Sequence, residues 1–262
     1  MRISMLTMVV PAALLVVVSG AANAVPPASP TTIDVDVFAD QAAAALRRDE
    51  QIERPIPPQY LDQARCIAVF PDLGRRYAPS LVGSGPGATS SDAPRDQLHL
   101  GLLGCRGEYG KWASTLPVFV TLRADLNDAR QRYVSPGNQL VVLFITDGGA
   151  QALAKGALLV GDLIILNANV PGPTNAPVLA WRSIPGSGYT NVDISGAAIT
   201  FAARANRQLY GSDVDAHQLL SGGVPASQVH HTLPSFTRDL ENIAPASRFA
   251  GNKVNAFGSG FP

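Results

Sequence analysis

Lysine is nearly missing from this sequence: of its 20 basic residues, only Lys111, Lys155 and Lys253 are lysines, and the others are arginines. Acidic residues also number 20, so no net charge remains to draw the whole chain to nucleic acid or to an anionic bilayer. Cysteine is scarcer still, with Cys66 and Cys105 alone. They form no C-x-x-C pair and no His/Cys cluster surrounds them, which argues against a zinc site or dithiol catalysis. No G-x-S-x-G motif occurs, so the strand–turn–helix nucleophile of many hydrolases is missing. Ser84 sits in VGSGPG with the wrong spacing for that motif. The same stretch is no dinucleotide fingerprint, because no strand precedes it and no helix follows. Beyond residue 24, no apolar run approaches the length that spans a bilayer.

What the N-terminus does contain is informative. MRISMLTMVVPAALLVVVSGAANA has an early positive charge at Arg2, an apolar stretch broken by Pro11 and Ser19, and Ala22-Asn23-Ala24 in the A-x-A pattern of signal-peptidase cleavage. Residues 1–24 are therefore expected to be a signal peptide rather than a membrane anchor, with the chain exported to a periplasm or secreted. In an oxidising compartment two cysteines read as one disulfide, Cys66 to Cys105, against the competing reading of two buried free thiols. A bridge requires Cα atoms within about 7 Å. Closing a loop of about 40 residues would contribute roughly 4 kcal/mol on the chain-entropy account.

Residues 25–34 read as a flexible leader, 35–241 as a single domain and 242–262 as a loose tail. Apolar periodicity predicts helices over Val35–Arg48 and Pro57–Ala64. Strands are expected at Cys66–Phe70, Leu98–Cys105, Leu116–Leu122, Gln139–Thr146, Gly161–Asn167, Val178–Ile184, Tyr189–Ile194 and Ala197–Phe201. The run DGGAQALAKGALL reads as a helix begun by Asp147 or Gly148. Ala203–Tyr210, Asp213–Leu220 and Pro225–Glu241 read as further helices. Residues 74–97, rich in Gly, Ser and Pro, read as a long irregular loop. The expected class is α+β, with a mostly antiparallel, curved or closed sheet flanked by helices at the N- and C-terminal ends.

Candidate chemistry is sparse. His99 alternates with apolar neighbours and is expected to face outward. His217, His230 and His231 read as structural or solvated, adjacent helical positions being unable to clamp one metal. Asp125 and Asp128 lie in a polar loop. In TDGGAQAL a strand gives way to a helix, and the exposed amides at Gly148 and Gly149 would favour an anion. The alternative is that Asp147 is simply the N-cap and satisfies those donors itself.

Five segments in order resemble a known family. ARCIAVFPDL is similar to the "A-x-x-I-A-V-F-P" signature of the SYLF (Ysc84-type) lipid-binding domain. GKWASTLPVFVTL resembles its Gly-x-Trp-Ser-x-Pro strand, with extra residues before Pro117. QLVVLFITDGGAQAL, LLVGDLIILNANVPGP and ISGAAITFAARANRQLYGSD resemble later segments, the last through Gly196, Ile199, Asn206, Tyr210 and Gly211. Together they cover roughly Gln41 to Gly222. The family's glycine-rich stretch after "F-P" is replaced here by RRYAPSLVGSGPGATSSDAPRDQ, and its "G-S-x-G-x-Q-x-G" segment by RADLNDARQRYVSPGN. The resemblance implies a non-enzymatic domain without a cofactor that binds phospholipid or a membrane surface, and in some eukaryotic members phosphoinositides or actin. For an exported chain, anionic phospholipid is the expected ligand class, a protein partner remains open, and nucleic acid is not expected. The residues expected to meet the membrane are Phe38, Arg47 and Arg48 on the amphipathic first helix, Arg75 and Arg76 after the first strand, and Gly148 and Gly149. Two other readings stand beside it: a secreted hydrolase using Ser84 or the histidines, and a structural envelope protein acting through protein contacts.

Overall fold

The computed structural model describes residues 33–49, 55–75, 77, 97–112, 116–124, 137–155, 157–160, 178–184, 188–211, 214–221, 223–224 and 232–249. Their centre is β1, Cys66–Phe70, a five-residue apolar strand buried along its whole length. It lies between β2 (Gln97–Cys105) and β4 (Gln139–Phe144), with β3 (Val118–Ala124) beyond β2 and β6 (Val178–Ile184) beyond β4. The short strands β5 (Ala157–Leu159), β7 (Gly188–Asn191) and β8 (Ala198–Phe201) complete the order β5-β8-β3-β2-β1-β4-β6-β7. Every pairing is antiparallel, and among the described residues the end strands β5 and β7 do not meet, so the sheet is open. CIAVF and QLVVLF read as continuous apolar runs because both faces of these central strands are covered. Gly101 of β2 is needed for that packing: a Cβ there would lie 2.6 Å from the ring of Phe70.

Helix α1 (Val35–Asp49) starts where the Asp34 carboxylate accepts the Val37 amide at 3.1 Å. Its apolar face, Phe38, Ala39, Ala42, Ala45 and Leu46, is buried. Phe38 meets Phe119 of β3 edge-on at 5.3 Å and Tyr77 at 6.5 Å. This corrects the expectation that Phe38 faces a membrane, because the stripe that made the helix amphipathic is its core face. Alongside α1 packs α6 (Pro234–Ile243), whose Leu240 fills the space above Gly104. Between them in sequence come α2 (Pro58–Gln63), α3 (Asp147–Ala154), α4 (Ala203–Tyr210) and α5 (Ala216–Ser221). Helix α3 lies against both β4 and β8, strands four places apart in the sheet, as a curved sheet allows.

Several expected boundaries move. The helix begun at Asp147 stops at Ala154, and ALL pairs with β8 as β5 instead. Helix α5 begins at Ala216 because Asp215 and Gln218 form a capping box, Gln218 N to Asp215 Oδ1 at 2.7 Å and Asp215 N to Gln218 Oε1 at 3.1 Å. Residues 242–249 are not loose: Ile243, Ala244 and Phe249 are buried, as is Ile33 at the other end. The expected strand Gly161–Asn167 lies outside the described residues.

Cys66 and Cys105 face each other in the β1–β2 register and are disulfide-bonded, their Cα atoms 4.0 Å apart. Both cysteines are thus accounted for as one staple, and the free-thiol reading falls. The staple joins strands whose cysteines are 39 residues apart in sequence. Replacing both residues, Cys66→Ala with Cys105→Ala, is expected to lower the unfolding free energy by up to about 4 kcal/mol in urea titrations. Alkylation before reduction should label no thiol, and labelling of two would show that the bridge does not form.

Candidate functional site

The antiparallel register gives the sheet two poles. At one lie the start of β1, the ends of β2 and β4 and the first turn of α3; at the other, the end of β1, the starts of β2 and β4 and the end of β3. From Leu98 to Cys105 along β2 the poles are about 23 Å apart. Arg75 belongs to the second pole. It is exposed, its guanidinium lies 5.4 Å over the Tyr77 ring, and Tyr77 in turn touches Phe38. Burial pushes the Tyr77 phenol up, Arg75 pulls it down, and Asp72 adds a smaller upward push. Gly148 and Gly149 lie at the disulfide pole, the first exposed and the second buried. Arg47 is half-exposed and ion-paired with Asp239 of α6. So Phe38 and Arg75 come together through Tyr77, while Gly148 and Gly149 are a sheet-length away. Arg76, Ser84, Asp125, Asp128, His230 and His231 lie outside the described residues, as does the side chain of Arg48.

Two further expectations change. His99 is buried rather than outward, its Nδ1 3.3 Å from the Arg75 carbonyl, because β2 is an interior strand covered on both faces. Asp147 is the first residue of α3 rather than its N-cap, which is Thr146. Its carboxylate pairs with the buried Arg65 guanidinium at 2.6 Å. Negative charge at that helix start is therefore already supplied by the chain.

Sequence reasoning missed the group beside the disulfide. Arg65 precedes Cys66 and Arg106 follows Cys105, so the register that joins the cysteines sets the arginines side by side, with Arg106 N donating to the Arg65 carbonyl at 2.8 Å. Arg106 donates from Nε to Ala64 O at 2.9 Å, from Nη1 to Gly110 O at 2.7 Å and from Nη2 to Ala244 O at 2.6 Å. It stacks on Trp112 at 4.3 Å and on Phe249 at 4.6 Å, and the opposite guanidinium, Arg65, lies 4.8 Å from the same Phe249 ring. Burial lowers Arg106 to about 10, with Glu241 and Asp62 pulling it upward. The available signal was a basic residue directly beside each cysteine.

This group supports a turn that points outward. In the 3-10 turn Glu108–Gly110, Tyr109 adopts φ 57° and ψ 18° and is 68% exposed. Left-handed backbone costs a tyrosine on the order of 1 kcal/mol. Gly110 follows at φ 76°, and a Cβ there would strike Phe249 at 2.7 Å. Lys111 is exposed beside it, and the turn Ala246–Arg248 lies against the tyrosine's turn, with Arg248 Nε 3.2 Å from Asp62.

The residues that carry the family resemblance hold the fold together. Trp112 Nε1 donates to Ala244 O at 2.7 Å. Asn206 of α4 grips β3 from the side, accepting from Phe119 N at 2.7 Å and donating to Phe119 O at 2.7 Å, as a neighbouring strand would. Tyr210 donates to Pro117 O at 2.5 Å, and Gly211 ends the helix at φ 98°. The comparison with known proteins agrees with that pattern. The chain is 23% identical over 238 aligned positions to the SH3 domain-containing YSC84-like protein 1 of Homo sapiens. The chain is thus distantly similar to a YSC84-like protein. The match takes in 83% of this chain but 62% of the relative's length. The chain matches no protein-family model.

Burial keeps the Tyr210 phenol protonated far above its ordinary value of 10.0. The unfolded chain ionises near that value, so the fold loses stability as pH rises above about 10. Tyr210→Phe is expected to cost about 1 kcal/mol at neutral pH, by leaving the Pro117 carbonyl unpaired, and to flatten the loss above pH 10. Urea midpoints at neutral and alkaline pH measure both effects, and an unchanged alkaline slope would show that Tyr210 is not its source.

Proposed function

We propose that this is an exported, non-enzymatic domain that binds phospholipid at a membrane surface. The observation that carries the reading is the ordered set of SYLF-like segments, whose described strands, tryptophan, asparagine and tyrosine are assembled into one core in a chain distantly similar to a YSC84-like protein. The disulfide accords with an oxidising compartment. Since the apolar face of α1 is committed to the core, attachment falls to exposed side chains, and anionic phospholipid remains the ligand class that exposed cations would meet. Such contacts give modest, reversible association. The hydrolytic reading loses support at His99, whose ring is buried against a backbone carbonyl.

Expression with the N-terminal segment intact should yield exported protein beginning at Val25. Co-sedimentation of that protein is expected with vesicles of phosphatidylcholine and phosphatidylglycerol, and to weaken at high salt or on pure phosphatidylcholine. Failure to bind any vesicle would overturn the lipid reading.

A further inference from the structure

We propose that Tyr109 is the residue that enters the membrane, its ring lodging at the boundary between headgroups and acyl chains of a phospholipid bilayer. The proposal rests on the lipid-binding reading above and gives it a location, at the disulfide pole and away from Arg75.

The backbone is the first reason. Tyr109 holds a left-handed conformation that glycine adopts without strain, and glycines occur on both sides of Glu108–Tyr109 in the turn. A bulky residue in that conformation, 68% exposed, gains little packing in return among the described residues. Strain kept at a surface position points to a use outside the fold.

The second reason is how firmly the tip is held. Gly107 N donates to Lys111 O at 2.9 Å and Gly110 N to Gly107 O at 3.2 Å, while Arg106 grips the Gly110 carbonyl from below. Phe249 fills the floor beneath Gly110, so the turn cannot fold inward. The backbone of the tip is therefore held in one conformation before any contact, which lowers the ordering cost of binding.

Chemistry selects the occupant. A phenol has an apolar body and a polar tip, the combination that favours the bilayer interface. Exposed Lys111 and half-exposed Arg248 flank it, and cations there suit the phosphate layer. Asp62 on Arg248 and Glu241 near Arg106 offset part of that charge. The ring thus adds to the affinity that charge supplies, and the cations turn the tip toward phosphate.

The test compares five forms of the full exported protein on phosphatidylcholine–phosphatidylglycerol vesicles: wild type, Tyr109→Ala, Tyr109→Gly, Tyr109→Trp and Arg75→Ala. Tyr109→Ala and Tyr109→Gly are expected to bind about fivefold more weakly. Tyr109→Gly should keep or raise Tm, separating lost binding from lost folding. Tyr109→Trp should bind like wild type, and its emission should shift to shorter wavelength and be quenched by brominated lipid. Arg75→Ala should bind like wild type. Equal binding by Tyr109→Ala and wild type, or a Tyr109→Trp emission blind to vesicles, overturns the proposal while leaving the lipid reading intact. No binding by wild type overturns both.

Discussion

Arg106 ties three distant parts of the chain to one guanidinium: the residue before β1's approach at Ala64, the outward turn at Gly110 and the end of α6 at Ala244. A buried cation is tolerable only if its donors are filled and its charge is offset. Here carbonyl oxygens, two aromatic faces and the more distant carboxylates of Glu241 and Asp62 do this together. The disulfide fixes the register that makes this geometry possible, because Cys105 is the residue before Arg106 and Cys66 the residue after Arg65. The C-terminal segment is held in the same way, with Ala244 accepting from both Arg106 and Trp112 and Phe249 lying between two guanidiniums.

Around this node the described elements divide labour. The central strands supply the core, while Asn206 and Tyr210 on α4 fasten β3 by hydrogen bonds to the backbone around Pro117 and Phe119. These are the positions through which the sequence resembles the SYLF domain, so the resemblance is chiefly a resemblance of scaffold. A scaffold can be shared while the exposed surface diverges, since fold alone does not specify function.

Local patterning made much of this architecture legible. Cys66–Phe70, Val178–Ile184 and Ala203–Tyr210 have the expected bounds, each being a strongly periodic or wholly apolar run ended by Pro, Gly or a change of period. Ala157–Leu159 reads as helix in the sequence because three apolar residues carry no period of their own, and only pairing with β8 makes them a strand. His99 departs from its expected outward position because alternation implies an outward face only when one side of a sheet is solvated. The candidate site was less legible. Phe38 reads equally as a membrane residue or a core residue in the sequence, because a core stripe and a bilayer stripe have the same period. The Arg106 contacts reach 138 residues along the chain, beyond any local pattern.

The position of β1 also shapes the history of the molecule. Both of its neighbours lie later in the chain, one ending at residue 105 and the other at 144. Chain delivered from the N-terminus therefore holds a five-residue apolar segment with neither ladder filled until some forty and then eighty residues have followed. Non-local pairing of this kind slows folding and leaves apolar backbone open to wrong partners in the interval. The first strand to emerge must wait for the middle of the chain before it has anything to pair with.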